Sequence, residues 1–432
     1  MYPENTSTVY QPFSCIKTVW NYNFGNCKLP RFSIYFAALF RKCESISLSR
    51  YRISGQFYQE NGEKVDKDLV EKVWELYLNM ETKMEETYTK RDKTQPVSNH
   101  TSIAQYVQKA RPQILQQFPE GARRTQAANV LNTLLNYCQF INGEELDQLS
   151  ADLCGQYRSF SGAEMMFAGN GYSGFVEQLL KKIPEDVIHR EAEVINICWA
   201  TEGQAEVVCK NGKRYTADHV VVTCSLGHLK ANYKQMFDPQ LPESKAGAIE
   251  RTGFGRVTKL FLYYDEPFWA DGVKLAWSQH GQSITETSDW VRSIEGFQKL
   301  PFNSKIIGGP FGGGGAEIVE SLTDDEVSAA CRDLLRKFLK VPSIPKPTMV
   351  LRSKWNSDPL YRGAYSYLST KNRENDILDL AAPLPGSHRP MLLFAGEATH
   401  PCYYSTVHGA YLSGMRESQR LTELYEKSTK AC

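Results

Sequence analysis

The sequence predicts an α/β chain made of two interleaved domains. Three observations carry this. Helical and strand-like patterns alternate along the 432 residues, but not as one regular repeat. HVVVTCS at 219–225 is β-branched on nearly every residue, which suits a buried strand. A chain of 432 residues also exceeds what one hydrophobic core usually serves.

Residues 1–55 show no clear period and stay unassigned. Residues 56–150 read as a helical part. VDKDLVEKVWELYLNM brings Leu69, Val70, Val73, Leu76 and Leu78 near one face. Two more helices are expected at 101–118 and 123–140, separated by Gly121, and LDQLSADL at 146–153 continues the helical character. The carboxylates between 60 and 86 form either a solvated face or a field for a cation.

Residues 151–245 turn at Gly169-Asn170-Gly171-Tyr172-Ser173-Gly174 and enter a helix expected to bury Phe175, Leu179, Leu180 and Ile183. Strands follow, with Asn211-Gly212 as a hairpin signal. Residues 246–350 hold the strand RTGFGRVTKLFLYYDEPFW, a glycine loop before AEIVES, and a helix from Thr323 with Glu326 as its capping-box partner. No strand–turn–helix with an Asp or Glu about 20 residues further on is expected around the glycine run, so it is not read as a phosphate loop. Residues 351–425 give a strand, a turn, the strand MLLFAG and a final helix; 426–432 is a tail.

Composition narrows the function classes. A net charge of +1 argues against a nucleic-acid binder. The eleven cysteines are widely spaced without a CxxC, so no metal site is expected and a reducing, cytoplasmic location fits. IYFAALF at 34–40 is too short to span a bilayer, no membrane partner is expected, and the terminal STKAC is not a peroxisomal SKL-type address.

The stretch LLFAGEATHPCYYSTVHGAYLSG at 392–414 gathers chemistry. Glu397 follows Gly396 at a strand end, where a carboxylate can accept from sugar-like hydroxyls or pair with an arginine. The helix that begins near Thr406-Val407 carries Gly409, Ala410 and Gly414, which permit close approach of a planar ligand or a neighbouring backbone.

That string resembles the C-terminal flavin-binding segment of the flavin-dependent amine oxidases, and within them the animal polyamine oxidases, which act on spermine or N1-acetylated polyamines. The resemblance runs over roughly 57–425. It implies an amine oxidase fold: an FAD-binding Rossmann-like domain, incomplete here, interleaved with an α+β substrate-binding domain. It implies FAD as cofactor, and a polyamine and oxygen as substrates. Hydride transfer to flavin would release an aldehyde, a shorter amine and hydrogen peroxide. Glu397 would hold the ribityl chain, and Thr406 and Val407 would lie at the flavin ring. Lys259 in RTGFGRVTKLF would face flavin N5, though a lone strand lysine is commonly a surface residue. Trp355 and Tyr365 in LRSKWNSDPLYRGAYSY match the block that faces the flavin and substrate amine; Tyr365 can also be an ordinary packed aromatic. Val194 matches the strand that meets adenine. Thr406 stands where many relatives have a second aromatic, which argues against a monoamine oxidase.

The resemblance also implies a G-x-G-x-x-G dinucleotide segment before residue 57. No G-x-G-x-x-G is read anywhere in the chain, and residues 1–55 hold glycines only at 25 and 55, so the chain is expected to lack that segment, and enzyme status stays open. A working enzyme with part of its sequence missing, a truncated inactive paralogue that binds a partner, and a substitute formed by 1–55 all fit. Another flavin amine oxidase, such as a histone-demethylase-like one, is the remaining alternative.

Overall fold

The computed structural model describes residues 45–47, 55–92, 94, 97, 101–158, 165–167, 171–199, 203–280, 289–300, 303–386 and 389–430. In chain order the elements begin with β1 (Ser45–Ser47), β2 (Gln56–Gln59), α1 (Lys67–Thr89), α2 (Ile103–Leu115), α3 (Ala122–Asn142), β3 (Met165–Phe167) and α4 (Gly171–Leu180). Then come β4 (Val194–Cys198), β5 (Ala205–Cys209), β6 (Arg214–Ala217), β7 (Val220–Val222), α5 (Leu226–Met236), β8 (Phe237–Asp238), α6 (Glu243–Arg251), β9 (Gly253–Phe254), β10 (Val257–Tyr263) and β11 (Val273–Ala276). The last part holds β12 (Gly296–Leu300), β13 (Asn303–Gly312), α7 (Gly314–Ser321), α8 (Asp324–Leu339), β14 (Met349–Arg352), β15 (Ser366–Tyr367), α9 (Asp376–Ala381), β16 (Leu392–Phe394) and α10 (Val407–Lys430). The fold is mixed α/β, as the alternating patterns predict.

The chain divides into two units, Met1–Ile53 with Ser159–Arg190, and Ser54–Arg158 with Glu191–Cys432. In the first, β1 pairs antiparallel with β3. The string 169–174 does carry the G-x-G-x-x-G spacing, which corrects the expectation that the chain has none. Its surroundings differ from a dinucleotide fold: α4 follows β3, but the described partner of β3 is antiparallel rather than a parallel βαβ neighbour. Residues 168–170 lie outside the described residues. Phe175 is buried as expected, whereas Leu180 and Ile183 are exposed. The helix ends at Leu180, and Ile183 sits in the following turn before Pro184.

The second unit holds a six-stranded sheet in the order β14-β10-β13-β12-β11-β2. Alternation along β10 sends Thr258, Leu260 and Leu262 inward and leaves Lys259, Phe261 and Tyr263 half-buried. Leu260, Leu262, Phe297, Ile307 and Phe311 pack with Val327, Leu335 and Phe338 of α8 in one core. Thr323 accepts from the Glu326 amide, and Glu326 accepts from the Thr323 amide, the reciprocal cap the sequence predicts. A second core gathers β4, β5, β7, α5, α6 and β16 around Leu226, Ile249, Leu392 and Phe394. Asn211-Gly212 turns the β5–β6 hairpin, with Gly212 at φ 83°.

Three expectations change. α1 buries Leu69, Val70, Val73, Tyr77, Met80 and Met84, while Leu78 is exposed; the apolar stripe follows Tyr77 and the methionines. Residues 146–153 are turns and bridges rather than helix. Their carbonyls serve the start of α2: the Ile103 and Ala104 amides donate to Leu149 and Leu146. The glycine run forms a strand–turn–helix after all, because β13 ends at Gly312 and α7 begins at Gly314. Its first amide already donates to Glu145 Oε1 at 3.0 Å, so a side-chain carboxylate meets that helix start.

In the 60–86 stretch, Glu60, Glu71, Glu75 and Glu86 pair with Lys337, Lys67, Lys72 and Lys90, and Glu81 accepts from Tyr77. Glu71, Glu75 and Glu86 thus mark a solvated face of α1, while Glu60 precedes that helix. Among the described residues no helix is long and apolar enough to cross a membrane.

Candidate active site

β7 and β16 run parallel, Val220 against Leu392 and Val222 against Phe394. Their carboxyl ends therefore open side by side, the place where open α/β sheets bind nucleotides. The Ala395 amide donates back to Val222, and the chain then turns at Gly396, φ 124°. Among the described residues a side chain added at Gly396 would meet nothing nearer than the Thr223 carbonyl at 4.0 Å, which leaves room beside this strand end. β7 is less enclosed than its composition predicts: Val222 is buried, but Val221 is 40% exposed. Among the described residues its strand partner is β16.

Glu397 stands at this opening. Its carboxylate accepts from the Ser366 amide at 3.1 Å, the Ser366 hydroxyl at 2.6 Å and the Ser405 amide at 2.6 Å. Ser405 in turn donates its hydroxyl to the Ser366 carbonyl. A charged acceptor with several donors is held in one orientation. Ser405 adopts φ 64°, a left-handed backbone that costs a serine roughly 1 kcal/mol.

Thr406 caps α10. Its hydroxyl accepts from the Gly409 amide at 3.0 Å and donates to the Tyr403 carbonyl at 2.6 Å. Both hydrogen-bonding uses of the hydroxyl here are internal to the turn. Val407 is the first helical residue and is half-buried. Gly409 has a packing reason: a Cβ there would lie 1.9 Å from the Tyr403 carbonyl oxygen. Gly414 has none, since among the described residues nothing lies within 4 Å of its Cβ position.

α10 is docked onto the strand end by residues the sequence did not single out. The Ser413 hydroxyl accepts from the Gly396 amide at 2.8 Å. Arg416 donates to the carbonyls of Thr399 and Phe394 at 2.8 and 2.7 Å and pairs with buried Glu417. Helical spacing from Gly409 to Ser413 to Glu417 was the signal available for this face. Tyr403 lies between His400 and His408, with ring centroids 4.8 and 5.3 Å away. Burial pushes His400 down to about 4, with Arg416 adding to it; burial and His400 do the same to His408. His400 Nδ1 accepts from the Tyr403 amide at 3.0 Å, so the neutral ring carries its proton on Nε2.

Tyr365 is buried and its hydroxyl donates to the Phe140 and Ile141 carbonyls at the end of α3, 2.7 and 3.1 Å away. Its neighbour Ser366 bonds Glu397, so β15 joins the α3 end to the strand-end opening. Gly255 closes this link, giving its amide to the Tyr365 carbonyl and its carbonyl to the Ala364 amide. Lys259 lies further along the same segment, on the half-buried face of β10. Its amide donates to the Ser353 hydroxyl and its carbonyl accepts from the Ser353 amide. Trp355, two residues on, packs edge-on against Tyr361 at 4.8 Å, and its carbonyl accepts from Gly363. Val194 opens β4 opposite Cys209 and packs against the core that contains Phe394 and Ala398. The structure thus joins Tyr365, Glu397 and Ser405 through Ser366, with Thr406 following in the chain. Lys259, Trp355 and Val194 attach through neighbouring strands.

The family described as flavin containing amine oxidoreductase matches residues 46–422. A human peroxisomal N(1)-acetyl-spermine/spermidine oxidase is 36% identical over 329 residues, covering 71% of this chain and 64% of that protein. The bovine protein of the same name is 31% identical over 393 residues, covering 85% of this chain and 76% of its own length. The chain therefore spans just under two thirds of the human relative. Among solved structures, wild-type putrescine oxidase bound to putrescine superposes with a TM-score of 0.64 at 16% identity, covering 91% of this chain and 87% of that one. The fold is thus that of the amine oxidases. The expected cytoplasmic location is corrected by these comparisons: both mammalian relatives are named as peroxisomal.

Proposed function

Because this chain belongs to the flavin-containing amine oxidoreductase family, we propose that it serves FAD-dependent oxidation of a polyamine, spermine or an N1-acetylated polyamine. The observation that carries this is the open strand end at Gly396, with Glu397 fixed beside it by Ser366 and Ser405. The names of the human and bovine relatives support the substrate class.

The residues fit the flavin half of the cofactor. Glu397 offers a fixed carboxylate to the hydroxyls of a sugar-like chain. Val407, with Thr406 capping the turn before it, presents a helix start, whose positive end favours a carbonyl oxygen. On this reading Trp355, packed on Tyr361, would border the flavin, and the Val194 backbone would meet the adenine end. The pyrophosphate is assigned to none of the described residues.

FAD, when bound, would supply the two-electron acceptor for oxidation at the carbon beside the amine nitrogen, with oxygen as the final oxidant and hydrogen peroxide as its product. The substrate iminium adds water and parts into an aldehyde and a shorter amine. Tyr365 walls the amine; with its hydroxyl held by two α3 carbonyls, the ring cannot swing away. Lys259 contributes positive charge where negative charge develops during oxygen reduction.

Peroxide release from flavin-loaded protein tests this with spermine, N1-acetylspermine and benzylamine. Turnover of one or both polyamines is expected. Turnover of benzylamine alone, or of none of the three, would overturn it.

A further inference from the structure

We propose that the cleft between α5, α6 and residues 362–371 binds a phosphate-bearing anion through Arg362, Lys371 and Lys230. The cleft measures about 460 Å³, within the ordinary size of small-molecule sites. Four cations line it, the fourth being Arg251, against one carboxylate, Glu250. Arg251 is already spent on buried Asp376, to which it donates at 2.6–3.2 Å. Glu250 is likewise engaged, by Tyr233 and by Lys234 at 3.3 Å. Three cations therefore remain for a ligand.

Their like charges face one shared cleft. Lys230 is half-buried and donates to the Glu250 carbonyl at 2.8 Å. Burial pushes its ammonium down to about 8; Glu250 opposes this, and nearby Lys371 adds to it. A dianion between the two ammonium groups would relieve that repulsion, whereas a monocarboxylate would leave charge over. Arg362 adds a planar fork that matches phosphate oxygens. Its backbone sits at φ 55°, a left-handed conformation unusual for a side-chain-bearing residue, and its amide is tied to the Asp358 carbonyl at 2.8 Å. The floor is rigid. A Cβ at Gly253 would lie 2.2 Å from the Tyr367 ring, and one at Gly363 would lie 2.5 Å from Phe254, so these surfaces already touch.

Calorimetry of the full chain with inorganic phosphate, at constant ionic strength set by chloride, tests the site. The comparison is R362N/K371Q, in which asparagine tolerates the left-handed backbone. Both side chains are exposed, so the unliganded melting temperature is expected to be unchanged. If the double variant fails to fold, Lys371→Gln alone is read. Phosphate binding that falls by about tenfold or more in the variant supports the site. Co-sedimentation with phosphatidylcholine vesicles containing phosphatidic acid, lost in the same variant, also supports it and assigns the phosphate to a lipid headgroup. Wild-type protein that binds neither probe, or a variant that binds equally well, overturns it.

Discussion

The Glu397 carboxylate accepts from the Ser405 amide at 2.6 Å, eight residues further along the chain. The same carboxylate holds Ser366, so one side chain sets both the loop before α10 and the end of β15. The candidate site is built on this junction, and its tests follow from how the junction is strained, packed and charged.

Ser405 balances two effects. Its left-handed backbone costs roughly 1 kcal/mol, and its hydroxyl bond to Ser366 returns a similar amount. Ser405→Ala keeps the strain and loses the bond, so it should lower unfolding stability by about 1–2 kcal/mol. Ser405→Gly loses both and should be nearly neutral. Denaturant titrations that show the two variants equally destabilised would remove strain from the account.

The two glycines of α10 should respond oppositely. Gly409→Ala drives a methyl into the Tyr403 backbone and should lower the melting temperature. Gly414→Ala enters open space within a helix and should stabilise by about 0.5–1 kcal/mol. Equal effects in thermal melts would contradict the packing described for the turn.

Lys245 gives a pH signature. Its ammonium is buried, donates to the Asp379 and Leu380 carbonyls at 2.7 and 2.8 Å, and lies 3.9 Å over the Phe394 ring. Burial nevertheless wins and pushes it down to about 7 from 10.5. A neutral amine still has two hydrogens for the two carbonyls. Above the folded value the unfolded chain binds the proton more readily, so this contribution to stability grows as pH rises from about 7 toward 10.5 and is lost as pH falls back. Urea midpoints measured at about pH 7 and about pH 9 should show a steeper rise for wild type than for Lys245→Met. Parallel slopes would show that the lysine stays charged when buried.

Lys259→Met should slow reoxidation of reduced flavin by oxygen about tenfold or more while leaving substrate affinity near wild type. Stopped-flow mixing of reduced protein with oxygen reads this directly. An unchanged oxygen step would return Lys259 to an ordinary half-buried strand lysine.

Much of this was legible where the determinants are local. The Thr323–Glu326 cap, the Asn211-Gly212 hairpin and the α2 and α3 helices follow from neighbours within a few residues. Glu397 was legible as a strand-end carboxylate, but its pairing with Ser366, 31 residues away, was not. The helical pattern of 146–153 yields for the same reason, since carbonyls of Leu146 and Leu149 bond the distant start of α2. Gly169–Gly174 shows the converse: the glycine spacing is plain in the sequence, yet spacing alone does not make the parallel βαβ unit that gives it meaning.

The most direct test is the visible absorbance of the purified full chain after incubation with FAD and removal of free cofactor. The account predicts a retained flavin spectrum that is weakened in Glu397→Gln, in which the neutral amide replaces the carboxylate that Ser366 and Ser405 hold in place. A colourless wild-type protein, or a Glu397→Gln protein that retains flavin as tightly as wild type, would contradict it.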